Sequence, residues 1–253
     1  MKTATIQMNL TWEDRPANHA RARTLSEQAA SSGATLIVLP EMFATGFSMN
    51  PSATAEPLDG PTPTFLRTLA SDLNVTIIGG YVDLAADGRG ANTALAVGPE
   101  GNILAKYVKT HLIAYLGEDK AHVQGDHPAS FTTGGTKIAC FICYDLRFPE
   151  LFRLVADDHH LICVIASWPS TRQRHWDVLL QARAIENQLY VMGVNRVGSG
   201  GGLDFLGGST IIDPMGNPLA HGGDQEGIVM ADIDPAEVQR VRSDLPFLRD
   251  RRF

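Results

Sequence analysis

Three residues of this chain could together open an acyl bond. Glu41 lies in TLIVLPEMFATGF, Lys109 in NILAKYVKTHL and Cys143 in KIACFICYDLRFPE, each just beyond a β-rich apolar stretch. A thiol supplies a nucleophile, a carboxylate can take its proton and return it, and an ammonium can hold the negative charge that grows on a substrate oxygen. Cys143 precedes the polar turn YDLRFPE. A nucleophile at such a corner projects from a sheet edge, with the backbone N–H of Tyr144 beside it to receive an oxyanion. Glu41 emerges where a buried strand ends, a setting suited to a group that must both accept and donate a proton. Lys109 alone would read as a surface lysine lying along apolar neighbours.

Other chemistry is weaker at each point. His111 offers a cysteine–histidine alternative, but a histidine two residues past a strand suits a supporting hydrogen bond better than direct catalysis. Cys140 and Cys143 spell C-x-x-C, yet on a strand positions three apart face opposite ways and cannot share a metal or a disulfide. Cys163, in LICVIA, reads as core, as does Cys140. His159 and His160, beside Asp157 and Asp158, read as a solvated loop rather than a metal site. The glycine-rich stretch Gly198–Gly208 reads as a flexible loop near the site, without a phosphate-binding pattern.

The elements that must position these residues follow from periodicity. Strands are expected at Thr3–Met8, Thr35–Leu39, Val75–Gly79, Thr93–Val97, Ile103–Val108, Lys137–Ile142, Leu161–Ala166, Leu189–Val194, Ser209–Ile212 and Gly227–Ile233. GPEGN marks a hairpin between two of them. Helices are expected at Ala17–Ala30, around Phe65–Leu73, and at Pro149–Ala156, His175–Gln188 and Pro235–Ser243. Strands alternating with helices, with hairpins interspersed, favour an α/β fold with mixed sheets.

With 253 residues and 44% apolar content, the chain can bury a sizeable core, and no linker divides it, so a single domain over 1–253 is expected. A net charge of −7 opposes nonspecific binding to nucleic acid or an anionic membrane. Arg249, Arg251 and Arg252 read as a solvated or salt-bridged end. No apolar run approaches the roughly 18 residues of a membrane span, and no signal-peptide pattern opens the sequence. Three cysteines, an odd number, argue against a disulfide framework. A cytoplasmic location is expected.

The segments around Glu41, Lys109 and Cys143 resemble the nitrilase superfamily of carbon–nitrogen hydrolases, which uses Glu, Lys and Cys in that chain order. LPEMFATGFSM together with ASWPSTRQRHWDVLLQARAIENQLYVMGVNRVG is similar to its omega-amidase branch, which includes YafV-type proteins. The resemblance runs from about Thr3 to the region of Ile233 and implies a four-layer α-β-β-α sandwich, often paired as a homodimer. It implies no metal or organic cofactor, and a small-molecule amide substrate such as an omega-amide of a 2-oxo dicarboxylic acid. Glu118 matches a second acidic residue that many members place in the site. Arg172 falls where members line the substrate pocket and is a candidate partner for a substrate carboxylate, ahead of Arg174. Two departures stand out: Leu206 precedes Gly-Gly where a polar residue is frequent, which would alter the pocket wall, and Thr110 follows Lys109 where a basic or apolar residue is common. A nitrilase, an N-carbamoyl amide hydrolase and a catalytically silent binding module are the rival readings.

Overall fold

The computed structural model describes residues 1–252. Along the chain, β1 (Lys2–Gln7), α1 (Arg15–Ser31), β2 (Leu36–Val38), α2 (Pro51–Thr54), β3 (Ala55–Glu56), α3 (Pro61–Leu73), β4 (Thr76–Leu84), β5 (Gly90–Val97) and β6 (Ile103–Val108) form the first half. Then come α4 (Glu118–Ala121), β7 (Ala129–Thr133), β8 (Thr136–Ile142), α5 (Pro149–Arg153), β9 (Leu161–Ala166), α6 (Gln173–Asn187) and β10 (Tyr190–Asn195). The chain ends with β11 (Val197–Gly200), β12 (Leu203–Leu206), β13 (Thr210–Ile212), β14 (Pro218–His221), β15 (Gly227–Asp232) and α7 (Pro235–Asp244).

One sheet runs β15-β1-β2-β4-β5-β6, with β3 beside β4, and the other runs β14-β13-β10-β9-β8-β7. Both are mixed: β1, β2 and β4 are parallel, as are β8, β9 and β10, and antiparallel strands flank each set. Side-chain alternation makes four layers out of two sheets. In β2, Leu36 and Val38 point into the space between the sheets, toward the face of the second sheet that carries Ile138, Ile142 and Ile165. Ile37 and the following Leu39 point the other way, against α1 and α3 residues such as Ala22, Leu66 and Leu69. On the far side, α6 buries Trp176, Leu180 and Ala184 against the second sheet. The expected α-β-β-α sandwich is the fold observed.

Local chemistry sets the helix ends. Asp14 caps α1 by accepting from the Ala17 N–H at 3.0 Å, and Asp234 does the same for α7 through Ala236 at 3.0 Å. Asn74 and Gln188 end α3 and α6 in the left-handed conformation.

Five readings need correction. Gly198–Gly208 is not a flexible loop: β11 and β12 pair as a hairpin around Gly201 and Gly202, whose φ of +59° and +78° suit a primed turn. β7 was not expected, yet it forms a hairpin with β8 around another Gly-Gly pair, Gly134 and Gly135. β14, also unexpected, pairs with β13. The helix from Pro149 stops at Arg153, short of Ala156. His159, finally, is buried rather than solvated, with its Nδ1 2.7 Å from Asp158. Arg251 pairs with Asp157, as a salt-bridged end would.

Candidate active site

Glu41, Lys109 and Cys143 reach one point from three strand ends. β2 delivers Glu41 through Leu39-Pro40, and the backbone there presses on β4 at Gly80. A Cβ on Gly80 would lie 2.6 Å from the Met42 nitrogen and 2.7 Å from the Glu41 Cα, so only glycine lets this loop approach. β6 delivers Lys109, whose backbone N–H donates to the Asn92 carbonyl in β5 at 2.8 Å. β8 delivers Cys143, which opens a single 3-10 turn, Cys143–Arg147, with φ +47°. A non-glycine residue held at positive φ is strained by about 1–3 kcal/mol, and such strain collects at functional sites.

Asp145 holds that turn in place. Its carboxylate accepts from the Ile142 N–H at 3.0 Å, the Tyr107 hydroxyl at 2.7 Å and the His111 N–H at 2.9 Å. It thereby joins the turn carrying Cys143 to the strand end carrying Lys109. The His111 ring is turned to Asp145, 2.8 Å from Nδ1, and stacks on Phe148. Thr110 is engaged likewise, its N–H donating to the Tyr107 hydroxyl at 3.2 Å.

The ionic centre is fully buried. Lys109 Nζ donates to Glu41 Oε1 at 3.1 Å and to both oxygens of Glu118, at 2.9 and 3.0 Å. Asn92 Nδ2 donates to Glu41 Oε1 at 2.7 Å and to Glu118 Oε1 at 3.0 Å. The other Glu41 oxygen accepts from the Ser167 N–H at 2.7 Å, and Glu118 Oε2 accepts from the Ile113 N–H at 2.8 Å. The Ser167 carbonyl lies 3.9 Å from Cys143 Sγ, so one peptide segment brackets both the carboxylate and the thiol.

These surroundings set the charges. Burial raises the Cys143 pKa well above its ordinary value, Glu41 raises it further, and Lys109 opposes only in part, so the resting group is a thiol. Burial alone would lower the Lys109 pKa, but the facing carboxylates of Glu41 and Glu118 hold it above the ordinary value. Burial disfavours the charged form of Glu118 too, yet Lys109 and Asn92 keep its pKa low. Glu41 is the carboxylate beside this thiol, a placement from which a carboxylate can take a thiol proton.

Above the thiol opens a pocket walled by Phe47, Ile113, Tyr115, Leu116, Trp168, Pro169 and Leu203. Ser167, Tyr144, Arg147 and Arg172 complete its lining. The wall residue of the glycine-rich hairpin is therefore Leu203; Leu206, expected at the wall, is exposed. Arg174 is exposed and does not line the pocket. Arg147, not singled out from sequence, has its guanidinium 4.6 Å from the Trp168 ring centre and 5.7 Å from that of Tyr144. Asn92, Asp145 and Ser167 were missed as well. The first two were visible as polar residues inside or just after apolar runs, whereas Ser167 binds Glu41 through its backbone and leaves no sequence signal.

Cys140 and Cys163 lie opposite each other in the core on β8 and β9, and all three cysteines are free. Among the described residues no group of His, Cys, Asp or Glu could hold a metal ion, and no helix is long and apolar enough to cross a membrane.

Comparison with known proteins shows which family the chain resembles. A family model described as carbon-nitrogen hydrolase matches residues 2–243. The 2-oxoglutaramate amidase of Bacillus subtilis (strain 168) is 35% identical over 240 residues, covering 94% of this chain and 93% of that one. Omega-amidase YafV of Escherichia coli (strain K12) is 35% identical over 253 residues, covering 99% and 96%. A crystal structure of a CN-hydrolase superfamily protein from Xanthomonas campestris, with an arsenic adduct in its active site, superposes with a TM-score of 0.94 at 32% identity, covering 100% and 97%. Matched by the family model along nearly its full length, and sharing fold and more than 30% identity with relatives of the same extent, the chain belongs to the carbon–nitrogen hydrolase family.

Proposed function

We propose that this enzyme hydrolyses the terminal amide of a small 2-oxo acid omega-amide, such as 2-oxoglutaramate, to the carboxylic acid and ammonia. The observation that carries the chemistry is the meeting of Glu41, Lys109 and Cys143, with the thiol lining the pocket and Ser167 bracketing thiol and carboxylate. The relatives named as omega-amidase and 2-oxoglutaramate amidase support the substrate class.

In this mechanism Glu41 takes the thiol proton as Cys143 Sγ bonds to the amide carbon. Lys109 and the Tyr144 N–H hold the tetrahedral oxyanion. The carbon–nitrogen bond then breaks, Glu41 returns its proton to the departing nitrogen, and ammonia leaves a thioester behind. Water enters, gives a proton to Glu41 and bonds to the same carbon. The carbon–sulfur bond breaks, the thiol regains its proton, and the acid is released. Glu118 keeps Lys109 charged and in place. Arg172, on the pocket wall, receives the substrate carboxylate. The reading takes the chain as one hydrolase domain, acting in the cytoplasm on free small molecules as a homodimer; the acidic net charge and odd cysteine count suit that setting.

The test is ammonia release by purified protein from 2-oxoglutaramate, propionamide, an aliphatic nitrile and an N-carbamoyl amino acid. The expected order puts 2-oxoglutaramate first. Preference for the nitrile or the carbamoyl compound would move the enzyme to another branch of the family, and no ammonia from any of them would leave a silent binding module.

A further inference from the structure

We infer that Asn92 is a positioning residue for the proposed base: it ties Glu41 and Glu118 into one acceptor pair and holds Glu41 in its ionised form, ready for the thiol proton. The inference rests on the amidase reading above. Asn92 is fully buried in β5, within GANTALAV, a run otherwise of small and apolar residues and threonine. Its two amide hydrogens are both used: Nδ2 lies 2.7 Å from Glu41 Oε1 and 3.0 Å from Glu118 Oε1. Its carbonyl accepts from the Lys109 N–H at 2.8 Å. One residue thus binds all three charged members of the centre.

Charge explains why a neutral donor belongs here. Lys109 carries one positive charge against two buried carboxylates, and like charges in a buried site tend to take up a proton on one of them. If Glu41 took it, the base would be lost. A second ammonium would add its own desolvation cost, whereas an amide NH2 stabilises both anions without adding charge. The orientation fits that role: Asn92 Oδ1 is buried without a partner among the described residues, and flipping the amide would aim that oxygen at two anions. The titratable groups around this pair are Lys109, Cys143 and His122, a buried residue whose N–H donates to the Glu118 carbonyl at 2.8 Å.

The test compares wild type with Asn92→Ser, which keeps one small donor, and Asn92→Asp, which puts a third carboxylate in place of the donor. Two curves are measured against pH: kcat/KM for 2-oxoglutaramate, and the rate at which iodoacetamide alkylates Cys143, located by mass spectrometry. The acid limb of both curves should move to higher pH in the order wild type, Ser, Asp. For Asp the displacement should reach at least about one pH unit, a tenfold loss at fixed pH on the limb, with KM above the limb within about twofold of wild type. Folded variants whose limbs coincide with wild type would overturn the inference, as would an effect confined to KM. Failure of both variants to fold would assign Asn92 to stability alone and overturn it equally. If the wild-type protein releases no ammonia from any amide, the amidase reading fails, and the alkylation curves alone decide the role of Asn92.

Discussion

Asp145 grips His111 twice with one oxygen, accepting the backbone N–H at 2.9 Å and standing 2.8 Å from the ring Nδ1. Through this contact the turn that carries Cys143 is tied to the strand end that carries Lys109, and the His111 ring is engaged by Asp145. Asp145→Ala leaves the Ile142 and His111 N–H groups without their acceptor and the Tyr107 hydroxyl with Thr110 Oγ1 alone, at 2.9 Å. We expect a stability loss of at least about 1–3 kcal/mol and a kcat drop larger than any change in KM. Urea unfolding and steady-state kinetics check this, and a variant with unchanged kcat would show that the bridge does not set the geometry.

Cys143→Ala should abolish turnover and the alkylation that marks the nucleophile. Cys140→Ala and Cys163→Ala should stay active, though each opens space in the core and costs roughly 1–3 kcal/mol. Brief exposure to iodoacetamide followed by mass spectrometry separates the three thiols. Labelling of Cys140 with Cys143 untouched would contradict the assignment.

The proposed mechanism gives Lys109 and Glu41 distinct tasks. Lys109→Ala removes an oxyanion donor, and kcat should fall by roughly 10² or more. It also leaves Glu41 and Glu118 without their shared cation, which should destabilise the fold by about 3–5 kcal/mol. Glu41→Gln should stall both acylation and deacylation, so single-turnover experiments should show no burst of ammonia. Either variant turning over near the wild-type rate would remove that residue from its role.

Arg172→Met should cost about 2–5 kcal/mol in kcat/KM for 2-oxoglutaramate, and far less for propionamide. Equal losses on the two amides would take Arg172 out of carboxylate recognition and turn attention to Arg147. That guanidinium shares the pocket wall and rests on the rings of Trp168 and Tyr144.

His19 should make stability fall in acid. Burial, helped by the charge of Arg15, lowers its pKa to about 4 from an ordinary 6.5. Its ring stacks on Phe65 at 4.3 Å. Between those values the unfolded chain holds the proton and the folded chain does not, so unfolding gains as pH drops through that window. Thermal melting at pH 7, 5.5 and 4 should show a smaller decline in His19→Phe than in wild type. Parallel curves would mean that this histidine contributes nothing to the slope.

The sequence disclosed the regular parts well. Continuous apolar runs such as LICVIA read directly as buried strands, and β6 and β9 match their expected limits. The Gly-Gly hairpins did not, because glycine content masked the pairing of Val197 with Leu206 and of Thr133 with Thr136. In the site, residue type pointed to Glu41 and Cys143 and the family resemblance added Lys109 and Glu118, four side chains that the structure brings together. Their supports could not, since Ser167 and Ile113 act through backbone N–H groups that any residue except proline supplies. Asn92 and Asp145 matter through partners distant in the chain, which periodicity does not reveal.

One ammonium serves two carboxylates at the base of the pocket, and this excess of negative charge bears on how the enzyme clears itself. The proposed reaction turns a neutral amide end into an anion a few ångströms from Glu41 and Glu118. A substrate meets no repulsion there, but its product does. The same carboxylates that position the proton and the lysine therefore drive the finished acid outward, and product inhibition should be weak at any pH where the new acid is ionised.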